Sequence, residues 1–240
     1  MSSPWHRGRL FLAAGVCLLI VSLLAVLVHV GWSSLQDVDN DFGTPAEAWS
    51  VHHAAAVESL LAIELMFGTI GTVLYVLALL VVLWCTGHPR AIVWSIVVMV
   101  GTSATTTAMK LSFRRQRPQW EDSVHTLTSF SFPSGHASGI ASGMGVVVVL
   151  TMLYVQRKAV RRTVYTAAAA LLVLVGADRI LLGVHNLSDV LAGYAVAGFW
   201  IFTTLALYPP DMARARSIPP GTHPPCGQPD ENRGVSADPH

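Results

Sequence analysis

The chain has 240 residues, of which 52% are hydrophobic and only 12% are charged, and its formal net charge is +1. A soluble globular domain carries roughly twice that charged fraction, so the composition excludes an ordinary soluble protein. The three cysteines form no C-x-x-C pair and predict neither a disulfide framework nor a zinc site.

Six apolar runs have the length of about twenty residues that a membrane-spanning helix needs. They are approximately Leu10–Val30, Leu60–Trp84, Ala91–Leu111, Gly135–Val155, Tyr165–Val184 and Asp189–Tyr208. The first run could be a signal peptide, but it is too long and no clear A-x-A site follows, so we expect a retained helix. The expected fold is all-α: a polytopic membrane protein with a six-helix transmembrane bundle over residues 1–208 and a short extracytoplasmic active-site cap.

Lysine and arginine counts predict the orientation in the membrane. With the N-terminus inside, ten of the fifteen Lys and Arg residues fall in cytoplasmic segments and five in outer segments. The positive-inside rule then predicts a multi-pass protein of the plasma membrane with both termini in the cytoplasm. Residues 209–240 are rich in Pro, Gly and charge without periodicity, and we expect a disordered cytoplasmic tail there.

The first outer segment, Gly31–Val57, is predicted as an acidic loop in which Trp32 and Trp49 anchor the chain at the membrane interface. Its sequence DVDNDFG resembles the start of a calcium-binding loop. Phe42 stands where that loop needs glycine, and Ala48 stands where it needs glutamate. No calcium site is therefore predicted.

A cluster of four cations, KLSFRRQRP at residues 110–118, lies at the outer end of the third run. Cations in a membrane segment cost several kcal/mol unless they are paired or hydrated. Lys110 and Arg117, joined by Arg179 further along the chain, can surround a phosphoryl group, whose transfer depends on positioning and on charge stabilisation. No compact Asp/Glu cluster indicates a metal site.

The segment FPSGHASG at residues 132–139 opens the fourth run. Ser134 is a helix-start residue, and Gly135 permits close approach to free backbone N–H groups, which bind phosphate at a helix N-terminus. His136 on the first turn is suited to donate a proton near neutrality. An alternative is a cap followed by a packing helix, and the two interpretations are compatible. The packing helix would use a row of small residues: Gly135, Gly139 and Gly143.

The segment DRILLGVHNLSD at residues 178–189 joins the fifth and sixth runs. His185 and Asp189 are four residues apart, so the carboxylate can hold one ring nitrogen and leave the other free to attack. The alternative is that Asn186 caps the sixth helix with Asp189 at its third position. Arg179 nearby favours the chemical interpretation.

These three segments together resemble the type-2 phosphatidic acid phosphatase superfamily, which includes lipid phosphatases, soluble bacterial acid phosphatases and vanadium haloperoxidases. The spacings are K-x6-R-P, P-S-G-H and R-x5-H-x3-D, and they run from Lys110 to Asp189. The resemblance implies that His185 is the nucleophile, that Asp189 orients it and that His136 protonates the leaving group. It implies phosphate contacts from five residues: Lys110, Arg117, Ser134, Gly135 and Arg179.

The expected function is a metal-independent lipid phosphatase acting at the extracytoplasmic face through a phosphohistidine. Its substrate would be a phosphomonoester or diphosphate of a lipid, such as phosphatidate, phosphatidylglycerol phosphate or a polyprenyl diphosphate. Alternatives are a phosphotransferase with the same intermediate, or a non-catalytic lipid-phosphate binder or transporter. A vanadate peroxidase is disfavoured by the six spans. No cofactor and no nucleic-acid partner are expected.

Two acidic residues, Asp178 and Glu64, are not explained by the motifs. Asp178 occupies a position where the superfamily usually has a small residue, and we expect it to face away and pair with Arg114 or Arg115. It could instead repel substrate or raise the pKa of His185. Glu64, near the outer end of the second run, either lines the site or lies at the membrane interface.

Overall fold

The computed structural model describes residues 6–119 and 129–210, and within these ranges the chain forms eight helices. They are α1 (Arg7–His29), α2 (Ser33–His52), α3 (Ala54–Phe67), α4 (Thr69–Cys85), α5 (Pro89–Phe113), α6 (Gly135–Tyr154), α7 (Lys158–Leu181) and α8 (Leu187–Leu207). The tail was predicted over residues 209–240, and its residues from 211 onward lie outside the described part of the chain.

Five of these helices, α1, α5, α6, α7 and α8, are long and apolar enough to cross a membrane, and α3 with α4 supplies a sixth span if counted together. The second span was predicted as one helix, but α3 and α4 meet at an angle of 44°. The break falls at Gly68, whose ψ of −171° is extended rather than helical. A Cβ atom at Gly68 would lie 2.8 Å from the Glu64 carbonyl oxygen, so the absence of a side chain permits this close approach at the break. The all-helical membrane fold is confirmed, with one broken span.

Helices α5, α6 and α8 build the centre of the bundle. Trp94 and Val98 of α5, Val146 and Leu150 of α6 and Leu205 of α8 belong to one buried cluster. Large apolar side chains that remain exposed, such as Leu12 and Leu19 on α1, face outward as expected for a protein in lipid. This packing brings the N-terminal ends of α6 and α8 side by side.

Small residues bring the helices close to each other near the predicted site. A Cβ atom at Gly143 would lie 2.7 Å from the Tyr75 hydroxyl of α4, so the predicted glycine row does admit a neighbouring helix. A Cβ atom at Gly193 of α8 would lie 2.7 Å from the carbonyl oxygen of Ser134. Helix α8 therefore touches the backbone at the start of α6.

The segment predicted as the first outer loop is instead mostly helical, as α2. Asp39, Ala46 and Ser50 are buried, and their spacing of seven and four residues places them on one helix face. Ser50 Oγ donates a hydrogen bond to the Leu181 carbonyl oxygen at 2.5 Å, which fastens α2 to the end of α7. The loop prediction was wrong because an internal proline and many polar residues conceal the helical period, and packing stabilises the helix.

Candidate active site

The C-terminal end of α5 and the residues that follow it carry two cations, Lys110 and Arg117, into the site. Arg114 ends the helix in the left-handed conformation, with φ of 48°, and the chain then runs through Arg115 to Arg117. Lys110, in the last turn, donates from Nζ to the Phe130 carbonyl oxygen at 2.5 Å. The helix end therefore packs against the segment that leads into α6.

That segment, residues 129–134, is tied to both neighbouring helix ends. The Ser131 N–H donates to the Arg115 carbonyl oxygen at 2.9 Å, and the Ser134 N–H donates to the Asp189 carbonyl oxygen at 2.9 Å. The Phe132–Pro133 peptide bond is cis. The fully buried Ser134 hydroxyl accepts from the Ala137 N–H at 3.4 Å, so this side chain caps α6.

The first turn of α6 faces a cavity. Gly135 and His136 both line it. The His136 Nε2 atom is buried and has no hydrogen-bond partner among the residues that the structure describes. A Cβ atom at Gly68, the break between α3 and α4, would lie 3.5 Å from that nitrogen. The break therefore leaves room beside a histidine whose ring nitrogen is available to a ligand.

His185 lies in the short connection between α7 and α8 and is almost completely buried. Its Nδ1 atom lies 3.5 Å from Asp189 Oδ2 and 3.4 Å from Ser131 Oγ. Its Nε2 atom lies 3.2 Å from Arg117 Nη1 on the cavity side. One ring nitrogen is thus held by the carboxylate and the other faces the cations, as the sequence predicted.

Burial lowers the pKa of His185 to about 4, although its hydrogen bond to Asp189 opposes the shift. The imidazole is therefore neutral near pH 7. With Nδ1–H directed toward Asp189, Nε2 is the unprotonated nitrogen, and it lies beside Arg117 on the cavity side.

The capping interpretation of Asp189 also holds. The Asn186 N–H donates to Asp189 Oδ2 at 2.9 Å, and the reciprocal bond completes a capping box at the start of α8. The same carboxylate oxygen accepts from the Ser131 hydroxyl. Asp189 therefore fixes the helix start and the histidine together.

Arg117 bridges the two sides of the site. Its Nε donates to the Ser129 carbonyl oxygen at 2.9 Å, and its Nη1 donates to the Val184 carbonyl oxygen. Burial lowers the pKa of Arg117, but not enough to neutralise a guanidinium. Arg117 is therefore a fixed positive charge beside His185 Nε2.

Arg179 is completely buried near the end of α7, between two carboxylates. Its Nε donates to Asp178 Oδ2 at 2.9 Å, and its Nη1 lies 3.3 Å from Glu64 Oε1. The expectation that Asp178 pairs with Arg114 or Arg115 was wrong, because Asp178 is buried inside the bundle beside Arg179 while Arg114 is exposed. Glu64 approaches the site through this contact with Arg179.

One cavity of about 590 Å³ is lined by part of this set, whereas Arg179 and Asp189 lie behind residues that line it and are not among the lining residues. Its charged end is lined by Lys110, Arg117, His136 and His185. Hydroxyl and apolar side chains of α4, α5 and α6 line the remainder, among them Thr72, Val76, Leu77, Met99, Val100, Thr106 and Ser138. The cavity therefore joins an anion-binding end to a largely apolar region within the helices.

Sequence reasoning missed the parts played by Ser131 and Asp39. Ser131 lies just before the recognised P-S-G-H segment, and its hydroxyl contacts both His185 and Asp189. Asp39 belongs to the acidic run that was considered only for calcium, and in the structure it forms an ion pair with Arg115. The seven- and four-residue spacing of Asp39, Ala46 and Ser50 was a usable signal for a buried face.

The chain is similar to known proteins in both sequence and fold. Phosphatidylglycerophosphatase B of Bacillus subtilis (strain 168) is 36% identical over 89 residues, which cover 37% of this chain and 43% of that relative. The crystal structure of a transmembrane PAP2 type phosphatidylglycerolphosphate phosphatase from Bacillus subtilis superposes with a TM-score of 0.68 at 22% identity, covering 81% of this chain and 94% of that one. The family model described as the PAP2 superfamily matches residues 91–212. This match covers about half of the chain and includes every predicted site residue, so the protein belongs to the PAP2 superfamily.

Proposed function

We propose that the protein is an integral membrane phosphatase that hydrolyses a phosphomonoester or diphosphate of a lipid through a phosphohistidine. The observation that carries the proposal is the arrangement of His185. Its Nδ1 atom is backed by Asp189 and its Nε2 atom faces Arg117 and the cavity. A neutral imidazole held in this way is a competent nucleophile toward phosphorus.

The reaction proceeds in two displacements. His185 Nε2 attacks phosphorus, the bond from phosphorus to the lipid oxygen breaks, and His136 donates a proton to that leaving oxygen. Water then attacks the phosphohistidine, returns a proton to His136, frees Nε2 and releases inorganic phosphate. Lys110, Arg117 and the N–H groups at the start of α6 stabilise the charge on the phosphoryl oxygens in both steps.

Arg179 contributes a third positive charge to this site in the proposed mechanism. In the structure its guanidinium is bonded to Asp178 and lies close to Glu64. An incoming phosphoryl group therefore competes with a carboxylate for Arg179. These cations perform the charge neutralisation that metal ions perform in many phosphoryl-transfer sites, so we propose that the reaction needs no metal.

The lipid part of the substrate occupies the apolar region of the cavity. Side chains from α4 and α5, including Val76, Leu77 and Met99, line this region below the charged end. The Lys and Arg distribution supports an active site at the extracytoplasmic face of the plasma membrane, with both termini in the cytoplasm. Because the similar Bacillus subtilis protein is phosphatidylglycerophosphatase B, phosphatidylglycerol phosphate is the first substrate to test.

The test is phosphate release by detergent-purified protein from a panel of phosphatidylglycerol phosphate, phosphatidate and a polyprenyl diphosphate, with EDTA present. Wild-type protein is compared with His185→Ala. We expect release by the wild type only, and the best substrate identifies the lipid class. Tight binding of a lipid phosphate by both proteins without release would instead support a non-catalytic binder.

A further inference from the structure

Arg115 is one of the six unspecified residues between Lys110 and Arg117 in the K-x6-R-P motif, but its side chain reaches into the site. Its Nη1 atom donates to Asp189 Oδ1 at 2.7 Å and to Ser188 Oγ at 2.7 Å. Its Nη2 atom donates to Asp39 Oδ2 at 2.8 Å. Arg115 therefore connects the carboxylate behind His185 to a carboxylate on α2.

Asp39 is buried and each of its oxygens is used. Oδ1 accepts from the Ser188 N–H at 2.9 Å, and Oδ2 accepts from the Ser188 hydroxyl at 2.7 Å as well as from Arg115. The Ser188 N–H is one of the backbone donors that the first turn of α8 leaves without an intrahelical partner. Asp39 therefore joins α2 to the start of α8.

The two oxygens of Asp189 are divided between two sides. Oδ2 serves His185, Ser131 and the Asn186 N–H, whereas Oδ1 accepts from Arg115. Charge-assisted bonds of this kind are short and directional. Arg115 therefore restrains the carboxylate from the face opposite the histidine and limits its rotation.

Resting on the proposed phosphohistidine chemistry, we propose that Arg115 and Asp39 are positioning residues, which act through Asp189 to hold the His185 ring in its attacking orientation. Neither side chain needs to touch the substrate for this role. The contacts connect α2 to the active site, because removing the Asp39 carboxylate would take a hydrogen-bond partner from both Arg115 and Ser188. Arg115 would then depend on Asp189 and Ser188 alone for its position.

The chain provides a matched control for each residue. Arg114 is exposed, and its Nε donates to the Leu111 carbonyl oxygen at 3.2 Å within its own helix end. Asp41 lies two residues from Asp39 on α2 and is exposed. Arg114→Gln and Asp41→Asn repeat the charge changes of Arg115→Gln and Asp39→Asn without breaking the contacts to Asp189 and Ser188.

The experiment measures turnover of dioctanoyl phosphatidate in detergent micelles for these four variants, for Asp189→Asn and for the double variant Arg115→Gln/Asp189→Asn. Hydrogen-bond partners that orient a metal-binding histidine typically contribute about 10- to 100-fold in activity, and we take this range for a histidine oriented by Asp189. We expect Arg115→Gln to lower kcat by about that factor with KM changed less than about twofold. In the Asp189→Asn background the same substitution should change kcat little, because its target is already removed.

A second measurement does not require turnover. Orthovanadate adopts the geometry of phosphoryl transfer when it bonds to a histidine nitrogen, whereas sulfate only occupies an anion site. Arg115→Gln should weaken orthovanadate binding by about 10-fold or more and leave sulfate binding unchanged, as calorimetry would show. If wild-type protein binds orthovanadate but releases no phosphate from lipids, the proposed function fails. The positioning role of Arg115 is then still tested by the orthovanadate affinity of Arg115→Gln.

Two outcomes would overturn the positioning role. The first is Arg115→Gln matching Arg114→Gln in kcat and in orthovanadate affinity. The second is an equal loss in kcat from Arg115→Gln with and without Asp189, which would mean that Arg115 acts elsewhere. Should Arg115→Gln not fold, Asp39→Asn decides: kcat at least about threefold below that of Asp41→Asn supports the role, and equal values overturn it.

Discussion

At the scale of single residues, the site combines a neutral histidine with a group of fixed cations. His185 is held from one side by Asp189, while its other nitrogen lies 3.2 Å from Arg117 Nη1. Since burial lowers the pKa of His185 to about 4, the ring keeps its lone pair at neutral and mildly acidic pH. The proposed chemistry therefore starts from the protonation state that the fold imposes.

This protonation state predicts the pH dependence of the reaction. Protonation of His185 removes the Nε2 lone pair, so activity should fall as the pH decreases through the pKa of this ring. Because that pKa is lowered to about 4, we expect the acid limb of kcat/KM to lie well below the ordinary histidine value of about 6.5. Initial rates of phosphate release between pH 3.5 and 8 would measure it. An acid limb near pH 6.5 would contradict the assigned environment of His185.

Most residues that line the charged end of the cavity were predictable from the sequence, because the types and spacing of the residues in the three motifs indicate phosphoryl-transfer chemistry. Lys110, Arg117, Gly135, His136 and His185 were predicted from separate segments, and the structure places all five on one cavity. The pairing of Asp178 was not accessible in the same way. It depends on which side chains share the bundle interior with Arg179, and spacing along one helix does not report that.

At the scale of helices, close backbone approach holds the site together. Helix α8 reaches the start of α6 at Gly193, and the Ser134 N–H bonds to the Asp189 carbonyl oxygen across the same contact. The relative position of the segments that carry His136 and His185 therefore depends on the absence of a side chain at Gly193.

Gly193→Ala should separate these two helix starts. The added Cβ atom would lie 2.7 Å from the Ser134 carbonyl oxygen, and overpacking of this kind typically costs about 1–3 kcal/mol. We expect a lower Tm in detergent and a reduced kcat. Gly15→Ala on α1 is the matched control, since a Cβ atom there meets nothing within 4 Å. Equal Tm and kcat for the two variants would show that the contact is not needed.

The presence of a helix was predictable where apolar length decided it and not where packing did, although α7 begins at Lys158 rather than at the predicted Tyr165. The runs that became α1, α5, α6, α7 and α8 are long and apolar. Helix α2 contains polar residues, Gly43 and Pro45, and is stabilised by tertiary bonds such as that of Ser50 to Leu181. The break at Gly68 was also missed, because hydropathy does not register a backbone bend.

At the scale of the whole molecule, the fold joins a charged end to an apolar region within one cavity. The charged end includes Lys110 and Arg117, and the apolar region lies between α4, α5 and α6. A lipid phosphate has the same division between headgroup and tail. The arrangement therefore favours a substrate that remains partly in the bilayer while its phosphate reacts at the membrane surface.

The proposed orientation predicts which residues are accessible from outside the cell. The first variant has all three native cysteines replaced by serine and carries Asp41→Cys on α2. A membrane-impermeant maleimide should label this variant in intact cells. The second variant keeps Cys226 as its single cysteine and keeps Asp41. Labelling of Cys226 should require membrane disruption, because the tail is expected in the cytoplasm. Labelling of Cys226 in intact cells, with Asp41→Cys protected, would reverse the assigned sides.

The most direct test of the central claim is to trap the phosphorylated protein. Purified enzyme is mixed with phosphatidylglycerol phosphate carrying a ³²P-labelled terminal phosphate and is quenched with alkali within milliseconds, since phosphohistidine is stable to base and labile to acid. The account predicts label on the peptide containing His185, retained in alkali, lost in acid and absent from His185→Ala. Phosphate release at the normal rate with no base-stable label, or with label on a different residue, would contradict it.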